Sequence, residues 1–101
     1  MQRTITNTIT EREIRLEGTE DRIRDVASDL LYANPTIFSH AAHPYGVATI
    51  RYNRALSEWE LVYTSYGSRQ QHTNICNDLD DAIELWITDL LERQRGEPMP
   101  Y

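Results

Sequence analysis

Several ingredients are scarce or missing in this 101-residue chain, and each absence narrows what the chain can be. All ten basic residues are arginine, and the absence of lysine has no functional explanation in the sequence. The one cysteine, Cys76, has no partner for an internal disulfide, which agrees with a reducing compartment. No apolar run approaches the ~18 residues of a membrane span, and residues 1–10 lack the basic end and apolar stretch of a signal peptide. We therefore expect a cytoplasmic protein that does not enter a membrane.

The sequence also lacks the motifs of common enzymes. It contains no Gly-x-Ser-x-Gly, no phosphate-binding glycine-rich loop and no His-Glu-x-x-His, and it has four glycines in all. The spacing of Cys76, the serines and the three histidines selects no nucleophile with a base and an orienting acid. We therefore predict no catalytic residue, no cofactor and no enzyme activity, and a small metal or thiol enzyme remains the least favoured alternative.

A metal site is the one arrangement that the histidines and the cysteine suggest. His40 and His43 precede the central strands, whereas His72 and Cys76 follow them, so an antiparallel sheet in strand order 1-2-3 would bring both pairs to one end. The spacing matches no standard zinc pattern, and His72 and Cys76 would lie ~13 Å apart in an extended strand. The prediction is that these residues hold no metal.

The charge balance indicates the kind of partner. Sixteen acidic residues against ten basic ones give a formal charge of -6, which repels nucleic acid and anionic membranes and favours basic partners. Hydrophobic residues make up 40% of the chain, which is typical of a globular protein. We expect residues 1–101 to form a single domain that binds no nucleic acid directly.

Hydrophobic periodicity predicts two helices. The first covers about residues 19–33, with Thr19 as N-cap and an apolar face that includes Ile23, Ala27 and Leu31. The second covers about residues 78–94, with Asn77 or Asp78 as N-cap and an apolar face made by Leu79, Ile83, Trp86, Ile87 and Leu90. The tail, residues 96–101, contains a glycine and two prolines and is expected to fray.

A central hairpin is the clearest strand signal. Residues 47–53 and 58–65 both alternate, and a four-residue connection separates them. Pairing Asn53 with Glu58 places the apolar residues on one face, as the pairs Tyr52 with Trp59, Ile50 with Leu61 and Ala48 with Tyr63. The other face then pairs Arg51 with Glu60 and Thr49 with Val62, so both faces favour the same register.

The remaining segments give weaker signals. Ile14 and Leu16 alternate with charged residues in a short strand that ends at Gly18, and residues 68–76 predict a third, more polar strand after the hairpin. Residues 1–12 are ambiguous, and residues 36–46 are expected to be a loop. The whole predicts an α+β fold in which two helices cover one face of a small antiparallel sheet.

In its order of elements, the portion from the first helix to the last resembles a double-stranded-RNA-binding domain, with three strands between two helices. Such a domain opens its last helix with lysines, whereas this chain has Asn77-Asp78-Leu79-Asp80-Asp81. The resemblance therefore carries no expectation of RNA binding.

An acidic stripe is the first candidate binding feature. Asp21, Asp25 and Asp29 recur every four residues opposite the apolar face of the first predicted helix. A helix spaces such carboxylates by ~6 Å, comparable to the distance between successive phosphates on one nucleic-acid strand. An ordinary solvated helix face remains the alternative interpretation.

Two tyrosines form the second candidate. Tyr45 precedes the first hairpin strand and Tyr66 follows the second, so the rings are expected at one end of the sheet. Exposed tyrosine is a favoured anchor for protein partners, although packing of a loop would use the same residues.

Together these features predict a non-catalytic acidic protein whose binding residues are Asp21, Asp25, Asp29, Tyr45 and Tyr66. It would mask a basic protein surface, as small proteins of phages and other mobile elements do when they block restriction or CRISPR enzymes. An immunity or antitoxin protein and a regulatory oligomerisation module are the alternatives, and a homodimer is compatible with either.

Overall fold

The computed structural model of the chain describes residues 1–68 and 70–93. These residues form six strands and two helices, which in chain order are β1 (Gln2–Asn7), β2 (Glu13–Glu17), α1 (Glu20–Ala33), β3 (Phe38–Ala42), β4 (Gly46–Asn53), β5 (Glu58–Thr64), β6 (Gln71–Cys76) and α2 (Leu79–Arg93). The strands form one antiparallel sheet in the order β2-β1-β3-β4-β5-β6. Helix α1 packs beside β2, and α2 packs over β3 to β6. The predicted α+β fold is confirmed.

The hairpin formed by β4 and β5 has the predicted register. Tyr52 pairs with Trp59, and the remaining pairs follow to Ala48 with Tyr63 on one face and Thr49 with Val62 on the other. Ile50 and Leu61 are fully buried beneath α2, as expected for core residues. The face is less uniform than predicted near the tip, where Tyr52 is 40% exposed.

Both helices lie where periodicity predicts them. The Thr19 hydroxyl accepts a hydrogen bond from the Arg22 amide at 3.2 Å and so caps α1. Asp78 caps α2, because its carboxylate accepts a hydrogen bond from the Asp81 amide at 2.9 Å. Position 94, the predicted last residue of α2, and the predicted frayed tail at 96–101 lie outside the described residues.

Two strands were not predicted. Residues 1–12, left ambiguous by the sequence, contain β1, and residues 36–46, predicted to be a loop, contain β3. Each strand carries one polar residue on its buried side, which breaks the apolar alternation. In β1 this residue is Arg3, and in β3 it is His40. Because of β3, four strands and not three separate the two helices, so the order of elements differs from that of a double-stranded-RNA-binding domain.

The buried polar residues have partners in α2. The Arg3 guanidinium donates to the Leu90 carbonyl at 3.0 Å and to the Leu91 carbonyl at 2.7 Å, and so satisfies carbonyls in the last turn of the helix. His40 Nε2 donates to the Trp86 carbonyl at 3.1 Å, and the His40 ring meets the Trp86 indole edge-on at 4.7 Å between centroids. These contacts tie β1 and β3 to α2.

The strand predicted after the hairpin is confirmed over Gln71–Cys76. Ser68, at the start of the predicted range, lies in the turn after β5, and residue 69 lies outside the described residues. The alternation of β6 is poor because the strand lies at the edge of the sheet. His72 and Asn74 are exposed there, although they share a face with Cys76, which is buried.

Candidate functional site

The acidic stripe on α1 is exposed along its whole length. Ile23, Ala27 and Leu31 are fully buried, which fixes the rotation of α1 and turns its opposite face to solvent. That face carries the stripe, Asp21, Asp25 and Asp29, and each of the three residues is exposed.

Within the described residues, the arginines of α1 form no salt bridge with the acidic stripe. Arg24 forms salt bridges with Glu20 at 3.7 Å and with Glu84 of α2 at 3.1 Å, so its charge is directed away from the stripe. Among residues 1–68 and 70–93, none of the three stripe carboxylates forms a salt bridge or a side-chain hydrogen bond. The stripe therefore has carboxylates available for an external cation.

Helix α2 adds further negative charge beside α1. Its exposed carboxylates near the N-terminus are Asp80, Asp81 and Glu84. The Tyr32 hydroxyl, at the end of α1, donates to the Asp80 carboxylate at 2.5 Å. This hydrogen bond raises the pKa of Tyr32, and the negative charges of Asp80, Asp78 and Glu84 act in the same direction. Exposed carboxylates thus lie on both helices, and we call this set the acidic helical layer, which comprises the stripe with Asp80, Asp81 and Glu84.

Tyr45 and Tyr66 lie beyond the same end of the β4 and β5 pair. Tyr45 is 51% exposed and Tyr66 is 56% exposed. The Tyr45 ring contacts the Arg93 guanidinium at 4.4 Å and lies 6.0 Å from the Tyr63 ring, both measured to ring centroids. Tyr45 therefore helps to hold the end of α2 on the sheet, a structural role that the sequence did not indicate.

A buried polar cluster lies beneath Tyr45. The Tyr63 hydroxyl donates to one oxygen of the Asp89 carboxylate, and Arg93 Nε donates to the other oxygen at 3.1 Å. The spacing of Asp89 and Arg93 on one helix suggests their pairing, but the contact with Tyr63 depends on how α2 lies over β5. Asp89 is 8% exposed, so loss of either partner would leave a buried charge without compensation, and the cluster fixes how α2 packs on the sheet.

The histidines and the cysteine do not assemble into a site. His40 is buried against Trp86, whereas His72 is exposed on β6 and stacks near Tyr63. In the part of the chain that the structure describes, no group of three or more His, Cys, Asp or Glu side chains is placed to hold a metal ion. Burial raises the pKa of the Cys76 thiol, so at neutral pH this thiol is a weak nucleophile.

Shallow clefts indent the surface formed by the described residues. A cleft of about 360 Å³ lies between β6 and α2 and is lined by Ile75, Cys76, Asn77, Asp81, Glu84 and Leu85. Another, of about 330 Å³, lies on the open face of the sheet beside Thr4, Glu13 and Arg15. The first cleft combines apolar side chains with carboxylates.

Neither α1 nor α2 has the length and apolar character needed to cross a bilayer, and this holds for the described residues. Comparison with known proteins found no family model that matches the chain, no similar curated protein and no similar solved structure.

Proposed function

We propose that this chain is a non-catalytic binding protein that uses its acidic helical layer to cover a basic surface of another protein. The single observation that carries the proposal is the acidic stripe, in which Asp21, Asp25 and Asp29 are exposed and have no cationic partner among the described residues. Occupation of the basic surface would keep other anionic ligands, nucleic acid included, away from it.

The energetics of α1 support a role for the stripe outside folding. Its members stand four residues apart and therefore form two like-charge i,i+4 pairs, each of which destabilises a helix by ~0.2–0.5 kcal/mol. Arg24 of the same helix pairs with Glu20 and Glu84 instead. Asp21 lies in the first turn and suits the helix dipole, but the two like-charge pairs oppose helix formation, and an external cationic surface would compensate them.

The spacing of the stripe favours a nucleic-acid-binding partner. On an α-helix the three carboxylates rise by ~6 Å from one to the next, so they present a short row of negative charges to a surface that accepts phosphates. We further propose that the protein acts in the cytoplasm, which agrees with the free thiol of Cys76.

Affinity capture from a lysate of the native host tests this function. The bait is the full chain, and the test variant carries Asp21→Asn, Asp25→Asn and Asp29→Asn. A matched control carries Glu11→Gln, Glu13→Gln and Glu17→Gln, which removes the same charge from exposed positions around β2.

We expect the unmodified chain and the control to retain a basic protein, and the test variant to retain much less of it. Short duplex DNA or added salt should release the captured protein, because both compete with the stripe for cationic side chains. Equal capture by all three baits, resistant to DNA and salt, would contradict the proposed function.

A further inference from the structure

The two outer strands of the sheet differ in how they resist pairing with another chain. On β2, Glu13, Arg15 and Glu17 place charges of both signs along the edge, a common protection against added strands. The opposite edge, β6, has the sequence QHTNIC, without a charged residue and without proline. Within residues 1–68 and 70–93, β6 pairs with β5 and with no other strand, so its outer side is open.

The hydrogen-bond pattern shows which backbone groups of β6 face outward. The Ser65 amide donates to the Gln70 carbonyl at 2.8 Å, so these two residues form a hydrogen-bonded pair at the start of the ladder between β5 and β6. Hydrogen-bonded and non-hydrogen-bonded pairs alternate in an antiparallel ladder. In the observed register His72, Asn74 and Cys76 therefore bond to β5, whereas the amide and carbonyl groups of Gln71, Thr73 and Ile75 point away from the sheet.

A cleft with suitable side chains runs beside this open edge. Ile75 is 65% exposed on β6, and Leu85 is 43% exposed on α2, and both line the cleft of about 360 Å³. Asp81 and Glu84 line the same cleft from α2. Glu84 is already paired with Arg24, but Asp81 has no salt bridge among the described residues, so the cleft retains a negative charge.

We propose that β6 accepts an extended, basic segment of the partner protein as a seventh strand of the sheet. The segment would pair its backbone with Gln71, Thr73 and Ile75, and on the α2 side of the sheet it would place an apolar side chain against Leu85 and direct an arginine or lysine to Asp81. Main-chain pairing of this kind supplies affinity, and the alternate side chains supply specificity. The inference rests on the proposed function, because the segment is expected to be basic only if the partner presents a basic surface to this acidic protein.

The same charge argues against a second copy of this chain as the occupant. Two copies joined through β6 would form one continuous sheet with both α2 helices on the same side, and each copy carries a formal charge of -6. The Asp81 and Glu84 carboxylates of one copy would then approach those of the other, which is unfavourable without a compensating cation. A basic segment has the complementary charge.

Hydrogen exchange and amide NMR shifts of the full chain test this inference with two synthetic peptides. One eight-residue peptide repeats Arg-Arg-Val-Val, so that each face of the added strand carries both residues, and the other peptide has glutamate in place of arginine. In the free protein the amides of Gln71, Thr73 and Ile75 should exchange fast, because they face solvent. The arginine peptide should protect these amides and shift Ile75 and Leu85, whereas the glutamate peptide should not bind.

Two substitutions with matched controls identify the edge. Thr73→Pro removes an outward amide without removing a bond to β5, and it should weaken binding of the arginine peptide by about tenfold or more. Arg15→Pro makes the same change at the other edge, where alternation places its amide outward too, and should leave binding unchanged. If Thr73→Pro fails to fold, Leu85→Gln should still weaken binding several-fold, whereas Leu56→Gln, at another exposed leucine, should not.

Three results would overturn the inference. The first is that the shifts caused by the arginine peptide map to α1 or to the open face of the sheet. The second is that the outward amides of β6 are protected in the free protein at every concentration, which would mean that the chain covers its own edge. Protection that grows with protein concentration, together with a dimeric mass, would assign the edge to a second copy.

The peptide-binding test of β6 and the capture test of the proposed function can fail independently of each other. The stripe variant with three asparagines keeps β6 and the cleft intact, so it should bind the arginine peptide even if it captures no partner. A peptide that fails to bind, combined with stripe-dependent capture, would leave the proposed function standing and reject β6 as the docking edge.

Discussion

Protonation of His40 should make the stability of the fold depend on pH. The side chain is 2% exposed, and its Nε2 donates to the Trp86 carbonyl while the ring packs on the indole. Burial lowers the pKa of His40 from its ordinary 6.5 to about 4, and the positive charge of Arg93 acts in the same direction, whereas the Trp86 carbonyl partly opposes it. The folded protein therefore holds His40 neutral at a pH where the unfolded chain would protonate it.

The sign and size of the effect follow from this difference. Between pH 6.5 and about pH 4 the unfolded state binds one more proton at this position than the folded state, so the free energy of unfolding falls as the pH falls. Over this interval the free energy of unfolding falls by about 3 kcal/mol, at ~1.4 kcal/mol for each pH unit. Above pH 6.5 the contribution of His40 to the pH dependence disappears.

Urea unfolding across this pH range, with His40→Gln as the comparison, measures the effect. Glutamine keeps an N–H donor for the Trp86 carbonyl but does not titrate, so subtracting its pH profile removes the contribution of the carboxylates. We expect the stability of the unmodified chain to fall by about 3 kcal/mol more than that of the variant. Parallel profiles for the unmodified chain and His40→Gln, or an NMR titration of His40 near pH 6.5, would refute the reasoning.

Three further predictions concern the core, two glycines and the acidic stripe. Trp86→Ala should lower the free energy of unfolding by ~3–5 kcal/mol in urea denaturation, because Trp86 is fully buried and donates to the Ala48 carbonyl; unchanged stability would contradict its place in the core. Gly46→Ala should destabilise strongly, because its Cβ would lie 1.9 Å from the Thr64 carbonyl oxygen, whereas Gly67→Ala meets no atom within 4 Å and should cost only ~1–2 kcal/mol for its positive φ; equal thermal shifts would contradict this. Replacing the whole stripe by asparagine should leave the melting temperature level or raise it, and a clear drop would show that the carboxylates stabilise α1.

The hairpin was predictable because its two faces carry independent information. A shift by one residue would expose Ile50 and Leu61 and would also separate Arg51 from Glu60, so the correct register satisfies both patterns. Strands β1 and β3 lack this redundancy. Arg3 and His40 occupy buried positions on them, and both side chains are hydrogen-bonded to carbonyl groups of α2 that are remote in sequence.

The acidic stripe was equally predictable, because three residues at a spacing of four on an amphipathic helix must share its outer face. The carboxylates that α2 adds to the acidic helical layer were not predictable, because their position relative to the stripe depends on how α1 and α2 pack. The pairing of Arg24 with Glu84 depends on the same packing. The contact of Tyr45 with Arg93 depends on where α2 ends. The open edge of β6 depends on the sheet order, which no local pattern in this sequence specifies.

The central claim is that the stripe binds a basic protein surface, and binding kinetics with the captured partner test it most directly. Association and dissociation rates are measured across a series of salt concentrations for the unmodified chain, the stripe variant with three asparagines, and the control with Glu11→Gln, Glu13→Gln and Glu17→Gln. We expect the stripe variant to associate more slowly and with a weaker dependence on salt, because peripheral charges steer encounter more than they hold the complex. The control should keep the rates of the unmodified chain. Unchanged rates in the stripe variant, together with loss of binding on substitution of Tyr45 or Tyr66, would contradict the claim and place the interface at the tyrosine end of the sheet.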